Sequence, residues 1–163
     1  MLTLLRNIQG SLQDLTGYFS KRSINLVPDM NIVPVQATFP CINLKDGRIT
    51  NSNGMGGTRE STYIVEIGLY QRSKKQESLI EGDAVGSGII ELTRIIHMIL
   101  DGDLSIDSRL ISVNCLSEDP SQYFAKGDMH AQRKILYYSF ELQEMRPCTY
   151  VDQKEILKNG GKL

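Results

Sequence analysis

The sequence predicts an α+β fold: a single domain with a small, mostly antiparallel sheet, two helices packed on one face and a long hairpin loop. Three observations lead there. Residues 2–19 and 82–103 repeat apolar side chains at steps of three and four, the period of one helix face. Residues 62–72, 109–117 and 134–144 alternate apolar with polar residues, as half-buried strands do. The elements succeed one another as helix, strand, long loop, strand, helix, strand, loop, strand, without the strand–helix–strand alternation of a doubly wound nucleotide-binding sheet.

The first helix places Leu5, Ile8, Leu12, Leu15 and Phe19 on one face, with Thr3 near its start. Gly10 and Gly17 each weaken it by about 1 kcal/mol relative to alanine, so it depends on docking to the sheet. Pro28-Asp29 marks a turn. Residues 32–39 then read as a strand with Val33, Val35, Ala37 and Phe39 on one side, and Pro34 and Pro40 push it to an edge. Residues 45–61, rich in Gly, Asn, Ser and Thr, carry no apolar period and are expected to form a mobile loop or an extended hairpin arm.

In the strand that follows, Tyr63, Val65, Ile67 and Leu69 face inward. The central helix presents Val85, Ile89, Leu92, Ile96 and Ile99, and Ile90, Ile95 and Leu100 widen that stripe enough to demand a sheet beneath it. Asp83 or Ser87 is the expected N-cap and Gly102 the expected left-handed stop. Ile111, Val113 and Cys115 are expected inward on the next strand and Leu136, Tyr138, Phe140 and Leu142 on the last, with residues 118–133 as a polar connection. Residues 1–146 form the expected domain, and 147–163 a partly flexible, weakly helical extension.

Composition narrows the class of function. A chain of 163 residues, 40% hydrophobic and 23% charged, has the make-up of one globular domain. No apolar run is long enough to span a bilayer, and Arg6, Gln9 and Asp14 interrupt the start where a signal peptide stays apolar, so a cytosolic protein with no membrane partner is expected. Cys41, Cys115 and Cys148, odd in number and far apart, argue against a disulfide framework and against a short-spaced metal site. The formal net charge of -1 supplies no global attraction to nucleic acid.

No motif of catalysis emerges. Gly54, Gly56 and Gly57 could cradle a phosphate, but a nucleotide loop needs a strand before the glycines and a helix directly after, whereas a strand follows Arg59. His97 and His130 have no nucleophile or carboxylate at a motif spacing, and no Cys or His neighbours at zinc spacing. Asp101, Asp103 and Asp107 lack the pattern of a calcium loop and read as solvated. No catalytic, cofactor or metal residue is assigned, and an enzyme is not expected.

Charge partition is more informative. Lys45, Arg48, Arg59, Arg72, Lys74 and Lys75 dominate residues 45–75, while Glu77, Glu81, Asp83, Glu91, Asp101, Asp103 and Asp107 face Arg94 alone across 76–107. A basic edge and an acidic edge on one monomer suit head-to-tail association, which can close into a ring. Lys45, Arg48, Arg59, Arg72, Lys74, Lys75, Glu77, Glu81, Asp101 and Asp103 are the expected interface residues.

With the elements placed, the chain resembles the tail-terminator or head-completion (head–tail joining) proteins of long-tailed siphophages. The resemblance rests on Phe39-Pro40 followed by KDGRI and a long polar loop, on STYIVEIGLYQRSKKQ against the family's T-x-x-V-x-I-x-x-Y-x-R strand, on the helix GIIELTRIIHMIL, and on the late strand RKILYYSFELQE. It implies a non-enzymatic virion protein of the tail, assembled in the host cytoplasm into a ring, commonly of six copies. That ring binds the last tail-tube subunits, ends polymerisation and meets the head connector, and DNA passes through it without sequence-specific binding. A neck protein on the capsid side is the nearest alternative. The alternative of a different class is a small nucleotide- or phosphate-binding enzyme using residues 51–60 with His97 or His130.

Overall fold

The computed structural model describes residues 1–14, 24–31, 39–53, 58–75, 77–80, 82–83, 86–126 and 128–145. Helix α1 (Leu2–Asp14) leads to β1 (Ile24–Leu26), β2 (Cys41–Asn53) and β3 (Thr58–Ser73). A one-turn helix α2 (Glu77–Ile80) and the short ribbon β4 (Gly82–Asp83) and β5 (Gly86–Ser87) precede helix α3 (Ile89–Leu100). After a 3-10 turn at Leu104–Ile106 come β6 (Leu110–Glu118), β7 (Gln122–Lys126) and β8 (Met129–Met145). The fold is α+β, as predicted.

Two long hairpins make the sheet. β2 turns back into β3, and β6 with β7 together run antiparallel along β8. β3 and β8 join them in unbroken register from Thr58 opposite Met145 to Ser73 opposite His130. The strand order is β1-β2-β3-β8-β6, with β7 also on β8, and among the described residues β1 alone pairs in parallel. Since β3 and β8 are antiparallel, the two hairpins turn at opposite ends of the sheet.

One face of this sheet is the core. Val65, Ile67 and Leu69 on β3 and Leu136, Tyr138, Phe140 and Leu142 on β8 alternate onto it and are essentially inaccessible. Helix α1 covers it with Leu4, Leu5, Ile8 and Leu12, and α3 with Ile89, Leu92, Ile96, Ile99 and Leu100. The helix stops where Gly102 takes φ 74°, a left-handed conformation that favours glycine.

Several expectations change. Residues 32–38, with most of the expected first strand, lie outside the described residues, as do Leu15, Phe19, Val85, the turn at 54–57 and the extension from 146. Of the two forms expected for 45–61, the arm is the one found: β2 continues through Asn53 and pairs with β3 as far as Arg59. Its polar character reflects two exposed faces beyond the core, where no apolar period is required. The helix begins later than expected, at Ile89, and Gly88 is its N-cap without a side-chain hydrogen bond, because Asp83 and Ser87 belong to the β4–β5 ribbon. Ile90 is 64% exposed instead of widening the buried stripe. Ile111 is exposed because a bulge between Leu110 and Ser112 shifts the alternation and turns Leu110 inward. The polar connection at 118–133 contains β7 and the start of β8.

Candidate functional site

The surfaces offered for assembly are the candidate site. They are the two sheet edges and the two hairpin ends.

On one edge, β6 carries two bulges, and the residues left out of register are Ile111 and Leu116. Both are large aliphatics pushed outward, 45% and 56% exposed. Bulges of this kind spoil an edge for ladder pairing while leaving side chains free to dock. At the other edge, β1 pairs with β2 at Ile42, Asn43 and Leu44, so among the described residues the rest of β2 is itself an edge. Beside β1 lies an open apolar groove of about 370 Å³, lined by Met1, Leu2, Leu5, Leu26 and Leu44 with Asp46 among them.

Of the ten charged residues expected at an interface, the nine that are described do not gather in one place. Lys45 pairs with Glu66 across the strands at 2.9 Å. Arg48 is exposed on the free part of β2. Arg59 stands at the β2–β3 hairpin end, whereas Arg72 is near the opposite end of β3, about 40 Å away at the usual rise of a strand. Arg72 there lies over the Phe39 ring at 5.8 Å, close in sequence to exposed Lys74, Lys75 and Glu77. Glu81 is outside the described residues. Asp101 and Asp103 follow α3 on the side of β6, where the Gly102 amide donates to the Val113 carbonyl at 3.2 Å. The β6 edge is thus flanked by acidic groups and the β2 edge by Arg48.

The remaining polar residues are mostly committed within the fold. Asp107 is buried and held by Arg109 at 2.8 Å, which keeps its carboxyl below the usual range, and Arg109 also reaches Glu144 at 3.0 Å. Asp103 caps the 3-10 turn by accepting from the Ser105 amide. Asp101, Asp103 and Asp107 therefore do not form a cation site. Cys41 is fully buried, and desolvation pushes its thiol up to about 12, which makes it inert. His130 stacks on Tyr123, whose neighbour Phe124 carries the Arg133 guanidinium at 5.7 Å, so the second hairpin end is aromatic and basic. His97 is half-buried on α3, as expected of a packed helix histidine.

Sequence reasoning missed the outward turn of Ile111 and the groove beside β1. The adjacent pair Leu110-Ile111 was the available signal, since strict alternation cannot bury both.

No protein-family model and no curated protein matches the sequence. Among solved structures, the chain superposes on a chain of one described as "Virion of native gene transfer agent (GTA) particle", with a TM-score of 0.54 at 14% identity, over 84% of this chain and 92% of that one. The two chains share a fold.

Proposed function

We propose that this chain is a non-enzymatic virion component that forms a ring at the head-proximal end of a tail tube, ends tube polymerisation and presents the surface that the head connector joins. The observation that carries the reading is the fold shared with a chain from a virion over nearly the whole of both chains. The sheet supports it. Ile111 and Leu116 on the β6 edge of one copy fit against the apolar groove beside β1 of the next, a heterologous contact that can close without a two-fold axis.

Asp101 and Asp103 beside β6 would then face Arg48 on the neighbouring β2, steering encounter while the apolar contact supplies most of the affinity. With both edges used between copies, the two hairpin ends are left on opposite faces of the ring. DNA passes through the lumen without sequence-specific contact.

Added to polymerising tail-tube subunits, the chain is expected to shorten the tubes in proportion to its concentration, as read by negative-stain electron microscopy. Tubes of unchanged length, with the chain left in the supernatant, would overturn the tail-end assignment. Capture by the connector alone would move the protein to the capsid side of the joint.

A further inference from the structure

We propose that His97, Cys115 and Glu118 form a binding site for one thiophilic divalent cation, and that zinc is the ion their donor set fits. One ligand atom from each of the three lies within 4.8 Å of the others. A neutral imidazole, a thiolate and a carboxylate are the donor types of zinc sites that keep a fourth position for water, and a thiolate disfavours magnesium and calcium.

Sequence spacing hides this site. Residues 115 and 118 are an odd number of positions apart, and in a regular strand they would point to opposite faces. The bulge at Leu116 removes one step of the alternation. Cys115 comes to lie opposite Tyr138 and Glu118 opposite Leu136, so both take the register of the helix-covered face, where α3 supplies His97.

The surroundings are those of a supported ligand set. The Tyr138 hydroxyl lies 2.7 Å from His97 Nδ1, and Asp101 Oδ2 lies 3.6 Å from the same nitrogen. In the tautomer that a cation needs, Nδ1–H donates to this hydroxyl and the lone pair lies on Nε2. Nε2 sits 2.7 Å from Glu118 Oε1, a contact that a proton bridges in the empty site and that a bound cation would replace. Lys134 holds the other carboxylate oxygen at 2.5 Å and so keeps Oε1 turned to His97. Loading the ion sends the Cys115 thiol proton to solvent, and thiolate plus carboxylate balance the two positive charges. The bound ion would tie α3 to the β6 edge strand and pin the bulge.

The test uses the full chain, stripped with a chelator and titrated with zinc chloride in competition with a chromophoric chelator, and separately with cobalt(II). One ion per chain is expected, with a thiolate-to-cobalt charge-transfer band and a higher melting temperature. Cys115→Ser should abolish the band, His97→Gln and Glu118→Gln should weaken binding more than about tenfold, and Asp101→Asn, which supports His97 from the Nδ1 side without reaching the ion, by about tenfold. Circular dichroism checks each fold, and the more exposed Glu118→Gln keeps the test alive if Cys115→Ser unfolds. Absence of binding at micromolar zinc would overturn the site. So would binding that survives Cys115→Ser or that is lost in Cys148→Ser. The measurement needs no ring, so its outcome is separate from that of the assembly reading.

Discussion

The Tyr138 hydroxyl and His97 Nδ1, 2.7 Å apart, join the middle of the central strand β8 to the last turns of α3. Tyr138 is otherwise enclosed in the core, so this pair satisfies a phenol that burial alone would penalise. Tyr138→Phe leaves His97 partly solvated and is expected to cost about 1 kcal/mol, measured by urea denaturation. A loss above about 3 kcal/mol would mean that the hydroxyl anchors much more than this one contact.

Leu92 and Ile96 are both inaccessible where α3 meets the sheet. Leu92→Ala or Ile96→Ala should each destabilise by about 2–5 kcal/mol, because a cavity is left among side chains that cannot all close on it. Equilibrium unfolding of the two variants checks this, and losses under about 1 kcal/mol at both sites would take them out of the core.

Gly47 sits inside the β2 bulge, where an added Cβ would come within 2.9 Å of the Ile64 carbonyl oxygen. A backbone atom in a paired strand cannot yield as a flexible side chain can. Gly47→Ala is therefore expected to destabilise by about 1–3 kcal/mol and to loosen the root of the hairpin arm, seen as faster amide exchange in 45–53.

Acid should weaken the fold through Asp107 and Glu118. Arg109 lowers the Asp107 pKa and Lys134 that of Glu118, each chiefly by donating a side-chain hydrogen bond to the ionised carboxylate. A depressed carboxyl stabilises the fold above its unfolded value, 3.8 for Asp107 and 4.5 for Glu118, and that contribution is lost as pH falls through the lower folded value. Asp107→Asn should flatten the fall in melting temperature below those values. An unchanged slope would show that Arg109 does not favour the ionised form.

Much of the fold was legible because burial leaves a period in the chain. The inward sets of β3 and β8 and the face of α3 were all readable, since each repeats against one continuous core. What was not legible depended on register and on partners distant in sequence. A bulge changes which side chains face inward without changing composition, which is how Ile111 came to be expected inside. The arm of β2 was left open between a loop and a hairpin arm, and the strand β7 read as a loop, because a strand solvated on both faces needs no apolar alternation. The charged residues were visible, but their separation to opposite ends of β3 follows from strand direction and could not be read from proximity along the chain.

The ring is tested most directly by sedimentation velocity on the wild type and on Ile111→Asp with Leu116→Asp, alone and with tail-tube subunits, at low and high salt. Both residues are exposed, so the double variant should keep its monomer stability within about 1 kcal/mol. The account predicts a ring-sized species for the wild type, weakened by salt, and a monomer for the variant under the same conditions. A wild type that stays monomeric even with tail-tube subunits, or a two-fold dimer indifferent to both substitutions, would contradict it.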